Sequence, residues 1–438
     1  MPILLWTDAL IWLLVFSCAF YFWYCWNRPH LAAPWARVFR SPAALVCSVI
    51  LSAFVLIGLL DSLHFRGAQS AEVRSLLDAA LSGLRARTEK TYSAPLATRL
   101  YQRELIERPD GRMLREYPRL RYGGAHLKEE GDWGRDAASG AIWGLLLGIL
   151  SAAIFYFPLK IVKRRRPEIP WTAGYLTLGA ILLIAGPFIT LQGGYHVLGT
   201  DKVGQDVLFL ALKSVRTSLV IGTLTTLVLL PLGISLGVAA GYFKGWVDDV
   251  IQYVYTTLNS IPGVLLIAAA VLLMQVYIDT HPELFPTAAQ RADLRLLFLC
   301  AILGLTSWTG LARLLRGEAL KLSELEYIQA AHAFGVSHAR VLSRHILPNV
   351  AHIVIISLVM DFSGLVLAEA VLSYVGVGVD PATTSFGTMI NAARLEMARE
   401  PMVWWSLAAA FAFMFVLVLA ANLFADAVRD GFDPRVRV

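Results

Sequence analysis

The chain has 438 residues, of which 57% are hydrophobic and only 16% are charged, and its formal net charge is +6. The hydrophobic residues form long apolar runs, which exclude an ordinary soluble protein; runs of about 18 or more residues with few charges predict membrane-spanning helices. The sequence has no basic block interleaved with aromatic residues, so we expect membrane lipid, and no nucleic acid, among its partners.

The apolar runs predict nine membrane-spanning helices of about 20 residues each. Lysines and arginines cluster after the first, third, seventh and ninth runs, and the positive-inside rule places all four clusters in the cytoplasm. The N-terminus is then predicted to be periplasmic and the C-terminus cytoplasmic. The predicted spans lie near 6–26, 42–62, 141–162, 172–193, 216–240, 249–276, 294–314, 350–373 and 402–424.

One long polar stretch, 63–140, separates the second and third spans. Because successive spans alternate in direction, it is predicted to lie on the extracytoplasmic side. Within it, Ser70–Arg87 has apolar residues at helical spacing, which predicts a small, partly helical extracytoplasmic domain. A loosely ordered connector is the alternative. The stretch has no cysteine and His126 stands alone, so no catalytic arrangement is predicted there.

A segment bracketed by glycines follows the fourth span. It reads HVLGTDKVGQDV over 196–207, and Gly199 and Gly204 predict a turn. Thr200 or Asp201 is the candidate cap of the next helix.

Prolines, acids and glycines inside or beside the later spans mark a candidate translocation path or gate. A charge at the bilayer centre costs about 2.5–3.5 kcal/mol, so an acid there faces an interior or a partner. Helix packing through small residues is the alternative interpretation for the prolines, and an acid that is protonated or bonded to the backbone is the alternative for Asp361 and Glu369. The candidate residues are Asn259, Pro262, Asp361, Glu369, Gly376 and Gly378, and the predicted outer gate is Leu372–Phe386.

The stretch between the seventh and eighth spans is polar and basic, yet it predicts local structure. It reads EYIQAAHAFGVSHARVLSRHILPN over 326–349. Apolar residues at Tyr327, Ala330, Ala331 and Phe334 have helical spacing. The first half of this stretch is therefore predicted to be a helix at the membrane surface.

A turn and a second short helix are predicted to follow. Gly335 supplies the φ > 0 position that commonly ends a helix, and Ser337 is a good N-cap. The second helix should stop near Pro348, because the residue before a proline is pushed out of the α region. An ordinary cytoplasmic loop is the alternative interpretation.

Four segments in this order resemble the membrane subunits of binding-protein-dependent ABC importers, in the oligopeptide/dipeptide/nickel subfamily. QAA at 329–331, Gly335 and ILP at 346–348 resemble the "EAA" loop, which holds the coupling helix that docks on an ATPase subunit. LGTDKVGQD resembles the LGTDxxGRD segment of that subfamily. AEAVLSYVGVGVDP at 368–381 is similar to AExxLSFLGLGxxPP, and DAVRDGFDPR at 426–435 to DALRDxLDPR.

Two residues depart from the family patterns, and one candidate residue has no match. Gln329 stands where the loop motif has an acid, although Glu326 lies one turn upstream, and Gln205 stands where the outer segment has arginine. Asp361 matches no family position. The resemblance covers about 170–438.

The resemblance implies an all-α polytopic membrane protein with a type I ABC importer transmembrane domain of six helices. About three extra N-terminal helices and the small extracytoplasmic domain precede this core. The predicted domains are two N-terminal helices (1–62), the extracytoplasmic domain (63–140), a third extra helix with a basic linker (141–171) and the permease core (172–438) with its coupling loop (316–349). The first three depart from the family pattern.

The resemblance also implies the function of a permease subunit in the bacterial inner membrane. Such a subunit works by alternating access with a second homologous permease, two cytoplasmic ATPase subunits and an extracytoplasmic substrate-binding protein. The residues implied to couple it to an ATPase are Glu326, Tyr327, Gln329, Ala330, Ala331, Phe334, Gly335 and Pro348.

No catalytic, cofactor-binding or metal-binding residue is predicted in this chain. The sequence has no G-x-x-x-x-G-K-[ST] phosphate loop, so ATP and Mg²⁺ are expected in the partner subunits. Peptides are the expected substrate, because no His/Cys ligand cluster lines the spans; nickel or another small solute is the alternative. An ion-coupled secondary transporter using Asp361 and Glu369, or a membrane scaffold, are the alternatives of other classes.

Overall fold

The computed structural model describes residues 2–26, 28–66, 73–107, 113–281, 283, 285, 287–380 and 383–432. The chain divides into two compact units. The first takes its residues from Met1–Leu4, Phe39–Ser218 and Thr383–Leu423, and the second from Leu5–Val38, Leu219–Ala382 and Phe424–Val438.

Helices dominate the structure, as predicted for an all-α polytopic membrane protein. Over the described residues, nine helical segments are long and apolar enough to span a membrane, which confirms the predicted number. In chain order the elements are β1 (Pro2–Ile3), α1 (Trp6–Trp26), α2 (Pro29–Arg40), α3 (Pro42–Asp61), β2 (His64–Arg66), β3 (Val73–Ser75), α4 (Leu76–Ala80), α5 (Ser82–Ala86), β4 (Glu104–Glu107), β5 (Met113–Glu116), α6 (Trp133–Arg165), α7 (Trp171–Leu191), α8 (Val207–Phe243), α9 (Gly245–Ser260), α10 (Gly263–Thr280), α11 (Ala288–Ser307), α12 (Thr309–Ser323), α13 (Glu326–Ala333), α14 (His338–Val341), α15 (Leu347–Val375), α16 (Phe386–Arg394) and α17 (Trp405–Phe432).

The predicted span 249–276 is wrong, because the helix is interrupted between α9 and α10. Pro262 occupies the N-cap of α10, and Ile261 before it is extended, with φ −90° and ψ 130°. The missing N–H of a proline and its restriction of the preceding residue explain the break. Only Gly263–Thr280 qualifies there as a span. Pro231, by contrast, lies inside the continuous helix α8.

Glycines let α6 and α7 approach closely in the first unit. A Cβ added at Gly144 would overlap the backbone of Pro187, and one added at Gly186 would overlap the Gly144 carbonyl. Small residues are the usual means by which membrane helices pack, since lipid provides no hydrophobic driving force between them. The extra helix α6, which begins before its predicted start at 141, is thus packed backbone to backbone on the first helix of the resembling region.

The polar stretch 63–140 contains strands as well as helices, and the helical spacing over Ser70–Arg87 is only partly realised as helix. Its described part has strand β3, which pairs with β2, and then the short helices α4 and α5. Ser75 ends the strand because it forms a capping box with Asp78 at the start of α4. Further along, β4 and β5 form an antiparallel hairpin.

The described part of 63–140, which we call the outer domain after its predicted location, is joined by its backbone to the glycine-bracketed segment 196–207. The Glu89 N–H donates to the Gly204 carbonyl at 2.9 Å, and the Thr200 N–H donates to the Ser93 carbonyl at 3.1 Å. Gly204 has φ +79°, and a Cβ there would overlap the carbonyl of Glu89. The segment therefore forms the base on which the outer domain sits.

The predicted cap of the helix after this segment is wrong. Asp201 accepts hydrogen bonds from the N–H groups of Val203 and Gln205, inside the turn. Asp206 caps α8 instead, since its Oδ1 accepts from the Leu208 N–H at 2.9 Å. The cap lies one residue before the helix, where an N-cap side chain reaches the first free N–H groups.

A buried ion cluster fixes the same junction. Nδ1 of His196 lies 2.8 Å from Oδ2 of Asp206, and its Nε2 lies 3.5 Å from Oε1 of Glu89. Glu89 also accepts hydrogen bonds from the backbone N–H groups of Arg121, Tyr122 and Gly123. We call Glu89, His196 and Asp206 the junction cluster.

Two members of the junction cluster, His196 and Glu89, have strongly shifted pKa values. Burial opposes charge on His196, but the carboxylates of Asp206 and Glu89 raise its pKa from 6.5 to about 9. Burial likewise opposes charge on Glu89, but His196 and the three N–H groups lower its pKa from 4.5 to about 2. A buried ion pair held by further hydrogen bonds is costly to break from one side.

His126 also does not stand alone, contrary to the sequence prediction. Its Nε2 lies 2.7 Å from Oδ2 of Asp136, which accepts a hydrogen bond from the Tyr195 hydroxyl at 2.7 Å. This group ties the first turn of α6 to the loop after α7.

We predict that Glu89→Gln destabilises the first unit by about 3 kcal/mol, because it leaves a buried imidazolium with one carboxylate instead of two. The thermal unfolding midpoint of the detergent-purified protein measures this. Glu104→Gln is the matched control, since Glu104 pairs with Lys90 at the surface and exposed pairs contribute about 1 kcal/mol or less. Equal midpoints for the two variants would contradict the prediction.

The junction also predicts a pH dependence of stability. The raised pKa of His196 makes its contribution complete below pH 6.5 and lost as the pH rises through about 9. The lowered pKa of Glu89 makes its contribution complete above pH 4.5 and lost as the pH falls through about 2. We expect the unfolding midpoint to fall between pH 6.5 and 9, and to fall less in Glu89→Gln.

Candidate functional site

The stretch between α12 and α15 forms the predicted helix, turn and second helix. Helix α13 ends at Ala333, and Gly335 has φ +72°. The Val336 N–H donates back to the Ala331 carbonyl at 3.0 Å, as in a helix that ends on a left-handed residue. A Cβ at Gly335 would have no neighbour within 4 Å, so the need for glycine comes from the backbone alone.

The prediction that the second helix stops near Pro348 is wrong. Ser337 sits at the N-cap of α14 with no side-chain cap bond, and α14 continues through a π-helical turn, Leu342–Ile346, into α15. Pro348 is in the first turn of α15, directly after the π-helical turn in which the Leu347 N–H donates to the Leu342 carbonyl, and this irregular turn is where the proline is accommodated. The stretch between α12 and α15, which we call the coupling stretch after its predicted role, is therefore continuous with a membrane-spanning helix.

The predicted apolar face of α13 is divided between two sides. Tyr327 and Phe334 are 45% and 87% exposed, and Ala330 is also exposed, so these three form the outer face of α13. Ala331 is half-buried. Of the other predicted coupling residues, the structure exposes Glu326, Gln329, Gly335 and Pro348.

Three aliphatic residues that the sequence analysis missed hold the stretch in place. Ile328, Val341 and Ile346 have no solvent exposure, and they pack in one hydrophobic cluster with Trp308 and Leu315. We call these three residues the loop anchor. They come from α13, α14 and the π-helical turn, so no single helical period marks them; full burial of each contributes about 1.5–3 kcal/mol.

Charged contacts support the same region. Arg316 of α12 forms a bidentate salt bridge with Asp248 of α9, with N–O distances of 2.6 and 2.7 Å. Lys244 and Glu324 form a second ion pair. Paired N–H donors of an arginine match the two oxygens of a carboxylate, which gives this contact a fixed geometry.

The two intramembrane acids lie in different surroundings. Glu369 is fully buried and accepts a hydrogen bond from Ser373 at 2.6 Å. Asp361 is half-buried and accepts from Ser357 at 2.9 Å. Both donors are serine hydroxyl groups one turn away in α15.

The remaining path and gate candidates lie at helix ends. Asn259 is exposed at the end of α9, where its Oδ1 accepts from Thr309 at 3.2 Å, and Pro262 begins α10. Gly376 ends α15 with φ +87°, and Gly378 packs on Ser373, the partner of Glu369. Within the predicted gate, 381 and 382 lie outside the described residues, as does 433–435 of the tail motif.

Over the residues that the structure describes, no group of three or more His, Cys, Asp and Glu could hold a metal ion.

Comparison with known proteins places this region in a family. The family model described as "Binding-protein-dependent transport system inner membrane component" matches residues 233–438. This range begins in α8 and includes the whole stretch from α12 to α15.

Three curated relatives match a longer part of the chain. The oligopeptide transport system permease protein OppC of Mycobacterium bovis is 30% identical over 271 residues, covering 62% of this chain and 84% of that protein. The glutathione transport system permease protein GsiD of Pectobacterium atrosepticum is 33% identical, covering 55% and 73%. The dipeptide transport system permease protein DppC of Lactococcus lactis is 30% identical, covering 55% and 64%.

We predict that Gly335→Asn leaves the coupling stretch ordered and that Gly335→Val does not. The open space around this position accepts either side chain, but φ +72° is tolerated by asparagine and is an outlier for a β-branched residue. The rate of proteolytic cleavage between α12 and α15 in membrane vesicles measures this, with the yield in the membrane fraction as the control for insertion. Equal cleavage rates for both variants would refute it.

Proposed function

The chain belongs to the family of binding-protein-dependent transport system inner membrane components, and we propose that it is a permease subunit of an ATP-driven importer of peptides. It acts with a second homologous permease, two cytoplasmic ATPase subunits and an extracytoplasmic substrate-binding protein. ATP and Mg²⁺ bind in the ATPase subunits, and this chain holds neither.

The observation that carries the proposal is the combination of an exposed outer face and a buried anchor on α13. Tyr327, Ala330 and Phe334 present apolar surface at positions i, i+3 and i+7, the pattern with which a helix fills a groove of a partner. On the opposite side, Ile328 is fully buried. A partner that moves α13 must therefore also move the helices packed around the loop anchor.

The transport cycle follows from this linkage. ATP closes the two ATPase subunits on each other, and each pulls the coupling helix seated in it. Because α14 is continuous with α15 through the π-helical turn, the displacement passes directly into a membrane helix. Rigid-body motion of the two permeases then opens the path toward the substrate-binding protein, and hydrolysis resets it.

The substrate class rests on the relatives, whose names specify oligopeptides, glutathione and dipeptides. All three are peptides or peptide-like molecules with polar backbones. Peptides are therefore the substrate that we propose for this chain.

The domain organisation is proposed as follows. The helices of 1–62 and the third extra helix of 141–171 flank an extracytoplasmic domain at 63–140, and the permease core follows at 172–438. Lipid contacts α6, whose side chains Trp143, Leu150 and Phe157 are 68%, 62% and 72% exposed. The protein lies in the inner membrane, and we propose a periplasmic N-terminus and a cytoplasmic C-terminus.

We predict that Ala330→Arg reduces the ATPase subunits that purify with the tagged chain from mild detergent by at least about tenfold, equivalent to about 1.4 kcal/mol. The arginine puts a charge at the centre of the outer face of α13. Ser343→Arg is the matched control, since Ser343 is exposed in the same stretch but lies beyond the turn. No ATPase subunit with the wild-type chain, or equal recovery with both variants, would contradict the proposal.

A further inference from the structure

One buried hydroxyl group bonds both arms of the coupling stretch. Tyr242, in the last turn of α8, is 8% exposed. Its hydroxyl oxygen lies 3.1 Å from Nε2 of His332 and 2.8 Å from Nδ1 of His338. His332 belongs to α13 and His338 to α14, so the two imidazoles lie on opposite sides of the Gly335 turn.

Ring contacts fix the same three side chains. The Tyr242 ring stacks on His332, with centroids 5.7 Å apart, and meets His338 edge to face at 5.6 Å. The two imidazoles are 5.3 Å apart. Tyr242 also belongs to the hydrophobic cluster that contains the loop anchor. The three side chains therefore form one packed group, which we call the Tyr242 clasp.

The donors and acceptors of the clasp can be counted. A phenolic hydroxyl has one hydrogen to donate and lone pairs to accept with, and a neutral imidazole has one N–H and one acceptor nitrogen. The Tyr242 hydroxyl can therefore donate to one histidine and accept from the other, or accept from both. In either arrangement one hydroxyl oxygen sets both imidazole side chains at once, which a phenyl ring cannot do.

We propose that the Tyr242 hydroxyl is a positioning group that fixes the angle between α13 and α14, so that a displacement of α13 reaches α8 as well as α15. The inference rests on the proposed function, because the displacement is the one that a partner ATPase imposes. With the hydroxyl removed, the loop anchor still holds α13 and the outer face of α13 is unchanged. Binding of the ATPase subunits therefore persists, and the motion per ATP is transmitted less completely.

A purely structural contribution of Tyr242 would give a different result. It would lower the amount of folded complex and reduce ATP hydrolysis and uptake together, leaving their ratio unchanged. A positioning role lowers the ratio of substrate transported to ATP hydrolysed. The ratio therefore separates the two roles.

The test uses the complete complex, purified with its partner subunits and reconstituted in liposomes with the substrate-binding protein. Uptake of radiolabelled trialanine and release of phosphate are measured on the same preparation. For Tyr242→Phe we expect uptake per ATP to fall about fivefold or more, the low end of usual coupling free energies. The matched control is Tyr253→Phe, which removes a hydroxyl from a tyrosine of α9 that is 74% exposed, and we expect its ratio to equal that of the wild type.

A second pair of variants tests the hydrogen bond itself. His332→Gln keeps a side-chain amide that can donate or accept near the position of Nε2, whereas His332→Phe keeps only the stacked ring. We expect Gln to retain more of the wild-type ratio than Phe. An unchanged ratio in Tyr242→Phe, or equal ratios in the two His332 variants, overturns the inference. Absence of ATP-dependent uptake by the wild-type complex overturns the proposed function instead.

Discussion

The complete burial of Ile328, Val341 and Ile346 is the constraint on which the coupling stretch depends. A polar, basic segment at a membrane surface has little apolar area of its own, and these three are its side chains with no solvent exposure. Interiors are packed at crystal-like density, so a group buried in this way cannot move without its neighbours. The loop anchor thus turns a surface segment into part of the membrane body, while its outer face is left exposed.

In the first unit the outer domain is also held by buried side chains, and these are polar and charged groups, not aliphatic ones. Its backbone pairs with the segment 196–207, and the junction cluster places a histidine between two carboxylates that are all but excluded from water. Buried charges persist only when they are paired and hydrogen-bonded. The described part of 63–140 is therefore bonded into the loop before α8 both by its backbone and by buried charge.

Much of the fold could be predicted from the sequence because bilayer thickness fixes helix length, and this constraint does not depend on tertiary contacts. Gly335 was equally predictable, since a φ > 0 position is a local requirement. Pro348 was not, because a helix can accept a proline in its first turn when a π-helical turn precedes it. Asp206 was missed as a cap because the choice between it and Asp201 depends on where the turn ends.

The sequence predictions that failed most clearly concern contacts between residues distant in the chain. Nothing in the period of α13 says that Ile328 faces inward while Tyr327 and Phe334 face outward, since that choice is made by Leu315 and Trp308. The strands of the outer domain likewise exist only through pairing, and a helical pattern of apolar residues was the stronger local signal. Tyr242 carries no sequence signal at all, because its partners lie about 90 residues further along the chain.

The turn at Gly335 has a consequence that concerns chirality. No atom lies within 4 Å of the place where a Cβ would stand, so the position sets no limit on size, and only the sign of φ restricts it. For an L-residue this sign is unfavourable, but for a D-residue the same angle is the ordinary right-handed region reflected. A D-alanine introduced here by chemical ligation would fit the observed backbone better than any L-residue with a side chain. Glycine, the one achiral residue among the standard twenty, thus occupies a position whose backbone conformation favours a D-residue.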